Sequence, residues 1–123
     1  MGLFDFFKGK SNQPEEAKEK YWTLTTIIEE IVNPTMEQIE TAVKNATPAQ
    51  SMFATLTYNH SGLEIESVQA ISEDGFYRFE ALTTEGFMYV KSDLTYEETI
   101  ELFDHFFNYQ RVSGFKSWAK ERY

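Results

Sequence analysis

The side chains able to do chemistry are few. The 123-residue chain has no cysteine and two histidines, His60 and His105. Disulfides, iron–sulfur clusters and thiolate nucleophiles are therefore excluded. His60 sits in Asn59-His60-Ser61-Gly62, a turn sequence that places an imidazole at the surface. Glu97, Glu101 and His105 follow one another at four-residue steps, so a helix would stack them on one face. A divalent ion would need further ligands from another element, and spacing alone describes a solvated helix face, so no metal site is assigned. Glu64 with Glu66, or Glu80 with a neighbour, could divide acid and base roles if their environments separated their pKa values. Any acidic chain offers such pairs. Glycine-rich phosphate loops, nucleophile elbows and His-Glu-x-x-His spacing are all missing. No catalytic residue and no cofactor follow from these patterns.

Tyrosine and glutamate carry the remaining binding chemistry. Tyr58, Tyr77, Tyr89 and Tyr109 each join a flat apolar ring to one hydroxyl, suited to lining a ligand pocket or to packing a core. Glu64, Glu66, Glu73, Asp74, Glu80 and Glu85 lie on or beside strands and turns, and they form the expected acidic recognition patch for a basic protein partner. The chain holds 20 acidic and 11 basic residues, for a net charge of −9. From Glu29 to Asp104 there are fifteen acids against three bases, a net of −12, whereas His105 to Tyr123 carries +3. Nucleic acid is thus not an expected partner, because phosphate binding needs clustered Lys and Arg.

The elements that must position these groups follow from periodicity. Residues 21–32 carry a helical stripe at Leu24, Ile27, Ile28, Ile31 and Val32, yet 21–28 is dense in Thr, Ile and aromatic residues, and the reading taken is a strand ending near Ile28. A helix follows from Pro34 to Asn45, opened by an Asn33 cap or by the capping box Thr35-Met36-Glu37-Gln38. Beyond Pro48 the period changes to two, from Met52 to Tyr58. Leu63 and Ile65 fall out of phase with Val68 and Ala70, which predicts a bulge near Ser67. Asp74-Gly75 is a hairpin signal, and strands follow at Phe76–Leu82 and Phe87–Lys91. Short turns require an antiparallel meander. Asp93 to Asn108 is the strongest helix, with a capping box at Thr95–Glu98 and an apolar face of Tyr96, Ile100, Phe103 and Phe107. A last short helix is expected from Phe115 to Tyr123.

These elements make an α+β fold: an antiparallel meander of four or five strands with two or three helices packed on it. Residues 1–20 read as a flexible tip and linker, and 21–123 as a single domain. The tip MGLFDFFK is too short to span a bilayer and has no secretory cleavage pattern. No stable membrane insertion and a cytoplasmic location are expected.

Asn33-Pro34-Thr35 with its helix, the strands, and Leu94-Thr95-Tyr96-Glu97-Glu98-Thr99-Ile100-Glu101-Leu102-Phe103 together resemble the layout of small bacterial immunity proteins. That resemblance implies neutralisation of a toxin by binding, often an acidic face against a basic nuclease. Three functions stay open at this point. They are non-catalytic protein binding, a ligand-binding or enzymatic domain with a tyrosine-lined pocket, and self-association, for example as a homodimer, through a free sheet edge.

Overall fold

The computed structural model describes residues 18–123; the tip and most of the linker expected at residues 1–20 lie outside the described residues. One antiparallel sheet organises the described chain. In chain order its strands are β1 (Tyr21–Thr25), β2 (Glu30–Val32), β3 (Ala54–Asn59), β4 (Ile65–Glu73), β5 (Phe76–Thr83), β6 (Phe87–Leu94) and β7 (Ala119–Arg122). Their spatial order is β2-β1-β3-β4-β5-β6-β7. Helix α1 (Met36–Lys44) enters between β2 and β3, and α2 (Tyr96–Tyr109) between β6 and β7. The α+β class and the meander β3 to β6 are as expected, but the sheet has seven strands rather than four or five.

The additional strands are the two edges. The first expected strand stops at Thr25 rather than near Ile28. The Thr26 hydroxyl accepts from the amides of Ile28 and Glu29, and the Thr26 amide donates to the Glu29 carbonyl, which reverses the chain. Glu30–Val32 then returns beside β1. At the other end, the expected terminal helix is one 3-10 turn, Phe115–Ser117, followed by β7. Trp118 is already extended, and its ring meets Phe79 edge-on at 5.9 Å. Pairing with the open edge of β6 satisfies backbone groups that a short terminal helix would leave at its ends.

Both helices start where side-chain caps require. Thr35 with Gln38 and Thr95 with Glu98 form complete capping boxes, each hydroxyl accepting from the third amide and each longer side chain accepting from the cap amide. The bulge falls between Ile65 and Ser67, so Glu66 has no partner across the ladder. Asp74 and Gly75 both adopt positive φ, +54° and +85°, as a tight hairpin between two twisted strands demands.

One face of the sheet carries the core. Leu24, Leu56, Val68 and Ala81 form one row across β1, β3, β4 and β5; Ala54, Ala70 and Phe79 form the next. The helices cover them with Ile39, Val43, Thr99, Phe103 and Phe106, all buried. Small alanines leave depth for rings, and Phe79 meets Phe103 edge-on at 5.4 Å. Each such ring contributes about 1.5 to 3 kcal/mol of transfer free energy. Among the described residues no helix is long and apolar enough to cross a membrane.

Candidate functional site

The opposite sheet face is polar and internally bonded. The Thr55 hydroxyl donates to Gln69 Oε1 at 2.6 Å, Gln69 Nε2 donates to Glu80 Oε1 at 2.7 Å, and Arg78 Nε donates to Glu80 Oε2 at 2.7 Å. Arg78 Nη2 continues the chain to Glu121 Oε1 at 2.8 Å. The bond to Glu80 holds the Arg78 guanidinium further above its ordinary pKa, against the opposing effect of burial and with the bond to Glu121 adding to it. Glu80 is 6% exposed. Its place in a surface recognition patch is therefore corrected: both its oxygens are occupied within the sheet.

The other five members of the expected patch do not form one surface either. Glu73 and Asp74 lie at one end of β4, while Glu64 and Glu66 lie at its start, about 25 Å away at 3.3 Å per strand residue. Glu85 follows the end of β5, beside the Glu64 end. Glu64 precedes the strand and its carboxylate lies 3.8 Å from Lys116 Nζ, an exposed pair worth little. The bulge removes Glu66 from regular alternation, so the shared strand face expected for these two is not present.

The four tyrosines are also dispersed. Tyr58 stacks on Trp22 at 4.1 Å. Tyr77 is buried and donates its hydroxyl to the Val43 carbonyl at 3.0 Å, and burial, then the neighbouring Tyr96, pushes its pKa above the ordinary tyrosine value. Tyr89 packs against Phe115 at 4.9 Å, and Tyr109 is exposed beside His105. They build core and surface at separate places and line no common pocket. Glu97, Glu101 and His105 share a helix, but among the described residues no group of three such side chains is placed to hold a metal ion.

A different place gathers apolar and acidic groups. An open groove of about 290 Å³ lies between α1 and the β1–β2 hairpin, walled by Leu24, Ile28, Glu29, Glu37, Thr41 and Ser51. Ile28 is 74% exposed and Val32 57%, with Ile27 and Met52 exposed beside the same turn. Hairpin geometry explains this: the Thr26 turn spends its polar groups on itself and pushes the adjacent isoleucines outward. Glu29, Glu30 and Glu37 rim the groove and its edge strand, and no ion pair engages them among the described residues. Branched side chains surrounded by carboxylates suit a partner with an aliphatic anchor flanked by Lys or Arg. Sequence reasoning assigned these residues to strand and helix alone. The signal available was the run Ile27-Ile28-Glu29-Glu30-Ile31-Val32, too apolar on both faces for a strand covered on one.

Comparison with protein-family models, curated proteins and solved structures finds no match to this chain.

Proposed function

We propose that this protein is a non-catalytic protein-binding domain whose contact surface is the α1–β1–β2 groove and its acidic rim. The observation that carries the reading is the exposure of Ile28 in the groove and of Val32 on the adjoining edge strand, beside Glu29, Glu30 and Glu37, carboxylates that lack internal basic partners among the described residues. Exposed branched side chains gain most from a partner that removes them from water, and unpaired carboxylates steer a positively charged one toward them. Neutralisation of a basic toxin, the role implied by the layout's resemblance to immunity proteins, belongs to this class. The dispersal of Tyr58, Tyr77, Tyr89 and Tyr109 favours binding of a macromolecule over a small ligand held by those rings.

The test is an amide-resolved NMR titration with an end-blocked cationic peptide bearing one central leucine between lysines, at low and at physiological salt. Perturbation centred on Ile28, Glu37, Thr41 and Ser51, lost in Ile28→Asp and weakened by salt, is the expected result. Equal perturbation along the α2 carboxylates Glu97, Glu98 and Glu101 would show a diffuse ion atmosphere and overturn the reading.

A further inference from the structure

The edge strand β2 specifies more than charge. In the β1–β2 hairpin the Asn33 amide donates to the Trp22 carbonyl at 2.8 Å and the Thr26 amide to the Glu29 carbonyl at 2.9 Å. Trp22–Asn33 and Thr26–Glu29 are thus hydrogen-bonded positions, and Leu24–Ile31, midway between them, is the third. By alternation, the backbone groups of Glu30 and Val32 point away from β1. Among the described residues β2 ends the sheet, so these two amides and two carbonyls meet no further strand. Their side chains lie on the helix-free face, opposite Thr25 and Thr23, while Ile31 turns toward the core.

We infer that the partner is held by strand addition: an extended segment of a basic protein pairs with β2, setting Lys or Arg beside Glu30 and an apolar residue beside Val32. Pairing through both outward backbone positions requires these two partner residues to be two apart on one strand face. The charge is complementary because Glu30, on the face where that Lys or Arg would lie, and Glu29 at the hairpin turn carry no basic partner among the described residues. This deepens the proposed function and rests on it, since it names the backbone geometry by which that same partner is read.

A variant isolates the backbone contribution. Val32→Pro removes an outward amide and no bond to β1, and a proline is compatible with an edge strand. The probe is the end-blocked peptide Thr-Lys-Thr-Val-Thr at concentrations up to about 1 mM, followed by amide exchange and chemical shift. In the native protein the Glu30 and Val32 amides become protected while Ile31, already bonded to β1, is unchanged; in Val32→Pro the peptide has no effect. Glu30→Lys weakens binding about two- to fivefold, as one cross-strand charge pair would, and a peptide with Glu in place of Lys restores it. Shifts confined to Thr41 and Ser51 that persist in Val32→Pro would remove strand addition and leave groove binding standing. No perturbation at either place would remove both. Protection of Glu30 and Val32 that grows with protein concentration alone would assign the edge to a second copy, through its basic β7, and overturn the inference.

Discussion

Replacing Glu80 with Ala removes the centre of the polar chain that runs across four strands. Two hydrogen bonds to a charged group are lost, one from Gln69 and one from Arg78, and bonds of this kind contribute about 1.5 to 3 kcal/mol each. The Arg78 side chain is 27% exposed and keeps Glu121 at 2.8 Å, so its share falls below that range. Gln69 is half-buried and recovers part of its loss from water. The net expectation is a destabilisation of about 2 to 3 kcal/mol, measured by urea unfolding followed through Trp fluorescence, with the denaturant slope unchanged. Arg78→Ala and the double variant complete a cycle whose coupling energy is about 1 kcal/mol. Glu73→Ala, exposed at the hairpin, stays within about 0.5 kcal/mol of the native protein. A Glu80→Ala protein as stable as Glu73→Ala would refute the assignment of Glu80 to the sheet's internal bonding and return it to the surface.

The core offers a second measurement: Phe103→Ala empties a fully buried site against Phe79 and costs about 3 to 5 kcal/mol in the same assay. The capping boxes are equivalent in geometry, so Thr35→Ala and Thr95→Ala each cost about 1 kcal/mol, and the loss of helical ellipticity on mild heating starts in the capped helix that was changed. Tyr77 gives a pH dependence. Its pKa in the folded protein is raised by burial, then by Tyr96, so the unfolded chain ionises first. Its contribution to stability is whole below about pH 10, the unfolded value, and disappears as pH climbs through the higher folded value. Tyr77→Phe loses the bond to Val43, about 1 kcal/mol at neutral pH, and its stability then falls less steeply above pH 10; an unchanged alkaline slope would contradict the burial of that hydroxyl.

The candidate site was the least legible part of the chain, for reasons visible in particular residues. Glu80 alternates correctly onto the helix-free face, and Arg78 two positions earlier shares that face, so an Arg-x-Glu pair on one strand was readable as an internal ion pair. What removed Glu80 from solvent was Gln69 on β4 and Val90 on β6 closing in from both sides. The tyrosines were indistinguishable by type. Tyr58 found Trp22 and Tyr77 found the Val43 carbonyl, contacts 36 and 34 positions apart in the chain, whereas Tyr109 found solvent. Ile28 and Val32 sat in a pattern that served a helix and a strand equally well.

Neighbours within a few positions of one another enforce two capped helices, the Asp74-Gly75 reversal, the bulge beside Ser67, and the change from helical to alternating period after Pro48, and all of these can be read from residue order. These depend on torsional preference and on bonds that close within one turn, so they need no knowledge of the rest of the chain. Which segments became edges depended on contacts between distant parts of the chain. β2 and β7 are three and four residues long, too short to stand as strands alone; each became one because a β1 or β6 backbone with unmet donors and acceptors lay beside it. That choice made the sheet seven strands wide, set Glu121 beside Arg78 and left Glu30 and Val32 facing out at its border.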